Sequence, residues 1–203
     1  MTASDPQTPT QIDRLHANAS APQRQPFHVD PAELTLAHVN DSHRQYHMRI
    51  AADGSWFHEG EVIQRHALVK LFASVLRRGA DGSFWLVTPA ERGLIDVDDA
   101  PFVAVSLAAE DDPSQGPQAV KLHFTTNLDE TVTAGPDHPI RVVHDADETP
   151  RPYIQIRPGL EALIGRAVFY ELVERAEERS SPDGAVLGVW SENCFFELGK
   201  VEL

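Results

Sequence analysis

The chain has 203 residues, 41% of them hydrophobic and 24% charged, and a chain of this size buries about 70% of the surface its unfolded form exposes, so it needs no disulfide, metal or cofactor to fold. Its formal net charge of −14 repels phosphate backbones and anionic lipid, which excludes nonspecific nucleic-acid binding and membrane adhesion. The one cysteine, Cys194, excludes an intrachain disulfide, no apolar run approaches the ~20 residues of a membrane span, and no signal peptide is read at the N-terminus, so the cytoplasm is the expected compartment.

Residues 1–26 are rich in Ala, Ser, Thr, Gln and Pro without an aromatic residue, a composition that cannot offset ordering entropy, and they predict a disordered tail. A short helix is expected around residues 31–39, with proline in its first turn. The first strong signal is a hairpin: strands at 46–51 and 55–58 flank Asp53-Gly54, a turn dipeptide. A helix follows over about 63–78, with Leu68, Leu71, Phe72, Val75 and Leu76 on one face, Arg77 and Arg78 at its negative end and Gly79 just past it. Asp81-Gly82 then turns the chain into a strand at 83–87. Strands are predicted at 93–97, 102–109, 119–126, 139–144 and 153–156, a second helix over about 159–178, and two last strands at 185–190 and 194–198.

The second helix repeats the first. Phe169, Leu172, Val173 and Ala176 lie 101 residues after Leu68, Leu71, Phe72 and Val75, and at the same offset Ile164 matches Ile63 and Arg166 matches Arg65. One residue of slippage later, Asp183-Gly184 answers Asp81-Gly82, and an apolar strand follows both. Stripe, entry and exit in one order predict a duplication, and two copies are too few for a solenoid. The expected fold is therefore α+β: internally duplicated strand–helix–strand units with mainly antiparallel sheets. Its divisions are a tail at 1–26, a first copy at 27–90 and a β-rich second copy at 91–203.

The run Trp56-x-His58-x-Gly60-x-x-Ile63-x-Arg65, the run Leu86-Val87-Thr88-Pro89-x-Glu91, and the later stretches RPYIQIRPGLEALIGRAVFYELVERA and GVWSENCFFELG resemble the domain-of-unknown-function family numbered 1285, bacterial and mostly proteobacterial. The resemblance covers essentially everything after the tail. It implies a duplicated α+β core, a C-terminal half superficially like a pleckstrin-homology barrel, a ligand site where the halves meet, and a signalling or regulatory role. Asn193-Cys194 departs from it, standing where smaller residues are expected.

Catalytic signatures are missing: the sequence has no phosphate-binding glycine loop, Gly-x-Ser-x-Gly elbow, cysteine pair or His-Glu-x-x-His. LIDVDD at 94–99 resembles the Asp-x-Asp opening of haloacid-dehalogenase-like phosphatases, but that chemistry needs alternating βα units and here strand follows strand, so a solvated acidic bend is the reading adopted. His43 and His47 are four apart, yet no carboxylate or thiol completes a metal site. Cys194, beside two phenylalanines, reads as a buried hydrophobe.

Arg65 and Arg166 each sit in the first turn of a predicted helix, where a cation opposes the macrodipole. Two readings stand: an anion held by amides and guanidinium, or a structural ion pair, with Glu59, Glu61 or Glu91 for Arg65 and Glu161 for Arg166. The expected ligand pocket lies between the copies, walled by Trp56 and Trp190 with Tyr153 and Phe196 nearby, and polarised by His58, Arg65, Thr88 and Glu91; a core role for both tryptophans is the competing reading. The expected function is a regulatory module binding a small, anionic ligand. A protein-interaction module is the alternative, and an enzyme comes last.

Overall fold

The computed structural model describes residues 44–111, 116–147, 149–182 and 184–200. The expected tail, the helix expected at 31–39, His43 and Asp183 lie outside them.

Local turn chemistry lays down the first sheet. Gly54 supplies φ +83°, Ser55 N–H donates to Asp53 Oδ1 at 2.9 Å, and Ala51 N–H donates to Ser55 O, so β1 (Arg44–Ile50) folds back on β2 (Trp56–His58) with Ile50 opposite Trp56. β3 (Glu61–Val62) adds to β2, and α1 (His66–Ser74) follows. Next come β4 (Leu76–Arg78), β5 (Phe84–Val87) and β6 (Arg92–Val97), with Asp81-Gly82 in the β4–β5 turn. The sheet order is β3-β2-β1-β6-β5-β4, and its central pair, β1 with β6, is parallel.

The second sheet is built from β7 (Phe102–Glu110), β8 (Lys121–Thr126), β9 (Thr131–Thr133), β10 (Ile140–His144), β11 (Pro150–Arg157) and β12 (Leu160–Ile164), ordered β10-β11-β12-β7-β8-β9. It too has one parallel pair, β12 with β7. α2 (Arg166–Glu174) then leads into a three-stranded antiparallel sheet, β13 (Glu177–Ser181), β14 (Gly184–Ser191) and β15 (Cys194–Lys200). One apolar core runs through these layers, with Ile50, Leu76, Phe102, Phe124, Ile154 and Leu172 fully enclosed. All the described residues fall in one compact unit, Leu34–Leu203. No helix among them is long and apolar enough to cross a membrane.

The turn between β8 and β9 ties the first sheet's elements to the second. Asn127 accepts from Val103 N–H and donates to Gly54 O, Asp129 meets His66 Nε2 at 3.0 Å and Lys70 Nζ at 3.2 Å, and Glu130 forms a two-pronged pair with Arg157. Arg157 Nη1 goes on to donate to Ala73 O in the last turn of α1 at 2.9 Å, where a cation suits the helix dipole. His66, and then Lys70, hold the Asp129 carboxyl below the usual carboxylate range.

The expected α+β fold is overturned: among the described residues the protein is mostly β, with three sheets and two α-helices of nine residues each. The segments that were to extend the helices are strands: Leu76–Arg78, Leu160–Ile164 and Glu177–Ser181. Short apolar runs satisfy either period, and Leu160–Ile164 alternates between buried and half-buried as a strand does. Arg77 and Arg78 therefore lie in β4, and Gly79 belongs to the β4–β5 connection. The buried helix positions are Val69 and Ala73 in α1 and Val168 and Leu172 in α2, while Leu71, expected inside, is 61% exposed. A helix followed by a hairpin does occur twice, but one hairpin enters a six-stranded mixed sheet and the other a separate three-stranded one. The strand–helix–strand repeat unit and the pleckstrin-homology-like half are corrected with the fold class.

Candidate functional site

The eight residues expected to line a pocket are spread over three sheets, the start of α1 and the β5–β6 turn. Trp56 is 1% exposed and stacks on Phe72 of α1 with ring centroids 6.3 Å apart; its indole N–H is buried without a partner. Phe196 is in the core as well. His58 ends β2 on the surface, opposite Met48 and Glu61. Thr88 and Glu91 close the β5–β6 hairpin: Thr88 N–H donates to Glu91 O, and Glu91 N–H donates to Thr88 Oγ1. Trp190, half-buried on β14, tilts against Phe195, and the Arg179 guanidinium lies over both rings.

Arg65 stands at the N-cap of α1, exposed, and its guanidinium makes no ion pair or hydrogen bond among the described residues. Of its three expected partners, Glu91 pairs with Arg44 at 3.1 Å. Arg166 likewise lacks the partner assigned to it, because Glu161 is held by Arg141 in a fork of two 2.6 Å bonds.

Tyr153 is the exception among the eight, since it lies in a polar cluster. On β11 it stands two residues from Arg151, so strand alternation puts both side chains on one face. Tyr153 donates to Asp99 Oδ1 at 2.7 Å, and Arg151 donates to Asp99 Oδ2 at 2.6 Å and to the Tyr153 hydroxyl at 3.1 Å. Arg141, opposite Tyr153 on β10, lays its guanidinium 4.5 Å from the ring centroid. Asp99 is thus an ion-paired anchor and not a solvated bend, and neighbouring Asp98 pairs with Arg49 at 2.5 Å.

Burial pushes the Tyr153 phenol up, the carboxylate of Asp99 adding to it, while Arg151 works against both. Tyr153 and Asp99 hold the Arg151 guanidinium above its ordinary value. Burial, then Glu91, also pushes the Tyr46 phenol up. A raised folded-state value contributes stability that is complete below the unfolded tyrosine value of about 10 and is lost as pH rises through the folded value. Tyrosinate absorbance from Tyr153 and Tyr46 in the native protein should therefore rise late, and Tyr153→Phe and Tyr46→Phe should each remove part of that late rise. A Tyr153→Phe titration that overlays the wild-type curve would refute this.

Beside the cluster lies an open groove of about 400 Å³ between the start of β11, the end of β12 and α2. Its walls include Pro150, Pro152, Phe169 and Tyr170, and two cations face it, Arg151 and Arg166. Arg166 Nε donates to the Tyr170 hydroxyl at 3.0 Å. A second, smaller hollow of about 210 Å³ lies against Trp190, with Asp111, Arg175 and Glu177 among its lining. Neither is lined by Trp56. Among the described residues no three His, Cys, Asp or Glu side chains gather as a metal-ligand set. Sequence reasoning missed Arg151, Asp99 and Tyr170; the Arg-x-Tyr spacing on a strand was the available signal for the first.

A mostly-β chain with a cation-faced groove beside a fixed Arg–Asp–Tyr cluster is the class these features define. The chain belongs to the DUF1285 family: residues 36–100 match "Domain of unknown function (DUF1285), N-terminal domain" and residues 101–198 match "Protein of unknown function (DUF1285), C-terminal domain". It is similar to a DUF1285 family protein from Silicibacter pomeroyi of known crystal structure, with 43% identity and a TM-score of 0.73 over 84% of this chain and 88% of that one. It is also similar to a DUF1285 family protein from Shewanella baltica, at 26% identity and a TM-score of 0.49 over 63% of this chain and 90% of that one. No curated protein matches.

Proposed function

We propose that this chain is a cytoplasmic regulatory module that binds a small anionic ligand, seated in the groove between β11 and α2. The observation that carries this reading is the groove itself: about 400 Å³, within the ~300–1,000 Å³ of ordinary small-molecule sites, with apolar walls and a few convergent polar groups. Those groups are guanidiniums and a phenol, which recognise negative charge. In a protein of net charge −14 such a local focus is what an anion requires. Arg151 is held in place by Asp99 and Tyr153, so little ordering is left to occur on binding.

The test is a thermal-shift screen against metabolites, nucleotides and organic acids. A ligand at a hundred times its dissociation constant should add about 2.7 kcal/mol. The shift should shrink in Tyr170→Ala, a change at a position 55% exposed that leaves the core intact. A stabilising ligand indifferent to Tyr170→Ala would place the site elsewhere.

A further inference from the structure

We infer that the groove takes a monocarboxylate on an apolar body and that Arg166 receives the carboxylate; this rests on the binding reading above. Three guanidiniums stand on or beside this face. Arg141 is committed to Glu161, with both of its bonded nitrogens at 2.6 Å. Arg151 is committed to Asp99 and the Tyr153 hydroxyl. Arg166 alone of the three spends only Nε, on Tyr170, and its two terminal nitrogens bond to no described residue.

A guanidinium fixed through Nε presents its remaining N–H groups as an oriented fork, the geometry that matches a carboxylate. The ring centroid of Tyr170 lies 5.8 Å from Arg166 Cζ, so the Nε contact leaves the terminal nitrogens pointing past the hydroxyl end of the ring. With the other two cations neutralised by Asp99 and Glu161, one positive charge at the groove is unmatched among the described residues, which fits one carboxylate better than a doubly charged phosphate. The free terminal nitrogens of Arg166 direct the negative end of a ligand to that side chain, and Pro150, Pro152 and Phe169 offer its apolar body a wall.

The experiment is an amide chemical-shift titration of the full chain with phenylacetate, 2-phenylethanol and inorganic phosphate. Phenylacetate should move the amides of Arg151, Arg166, Phe169 and Tyr170, and 2-phenylethanol should bind there about tenfold more weakly, the difference of one charge-assisted contact. Arg166→Gln should weaken phenylacetate by about tenfold and leave 2-phenylethanol unchanged. Equal affinity for phenylacetate and 2-phenylethanol at these amides would overturn the carboxylate assignment while sustaining the groove as a site. Phosphate binding as tightly as phenylacetate would overturn the role of the apolar walls. If none of the three moves these amides, the binding reading falls together with this inference.

Discussion

Phe102→Ala should cost about 3–5 kcal/mol of folding stability, at the top of the range for a single core truncation. Phe102 opens β7, has no exposed surface, and pairs with Ala162 at the parallel junction of β12 and β7. Removing a ring leaves a cavity whose cost depends on how far the surroundings can collapse into it. Here they are pinned: Arg157 lies with its guanidinium 5.6 Å from the ring centroid and is itself fixed by Glu130 and by Ala73 O. Urea denaturation should show the full drop, with Leu71→Ala, at a position 61% exposed, as a control near the ordinary surface range of about 0.5 kcal/mol. A Phe102→Ala loss no larger than that of the control would show that the core is not centred at this junction.

What the sequence revealed depended on how local the determining interaction was. Asp53-Gly54 and Asp81-Gly82 specify their turns within four residues, and the hairpins on either side stand where turn chemistry puts them. Helical periodicity overruns both helices because Leu76 and Leu160–Ile164 satisfy a helical stripe and a strand equally, and only their partners, Leu86 across from Leu76 and β7 beside β12, decide the matter. Parallel pairing of β1 with β6 joins segments separated by more than forty residues, which no window of sequence encodes. The site was legible to the same degree. Arg166 is legible as a cation at a helix start and Tyr153 as a candidate wall, but Asp99 and Arg151 meet across 52 positions, and in the sequence Asp99 is one acid in an acidic bend. Trp56, His58, Thr88 and Glu91 have the chemistry of a site, but packing and turn closure already account for Trp56, Thr88 and Glu91.

Arg157→Met should cost about 2–3 kcal/mol, somewhat below the ~3–5 kcal/mol for breaking a fully buried pair, because both partners keep 28% of their side-chain surface exposed. Methionine retains the apolar stem over Phe102, so the loss isolates the guanidinium. Three consequences compete. Glu130 is left as an uncompensated, half-buried carboxylate, and Ala73 O loses a charged donor at the end of α1. Against these, Arg77 gains: burial foremost, and then repulsion from Arg157, lower its pKa, and the second of these disappears. The direct two-pronged contact with Glu130 outweighs the repulsion, so the net effect is destabilising. Glu130→Gln in the Arg157→Met background removes the stranded charge, and the double variant should therefore be more stable than the sum of the two single losses predicts. Urea denaturation of the four proteins closes the cycle. Additive losses would mean that the pair contributes nothing specific and that the β8–β9 turn holds α1 through Asp129 alone.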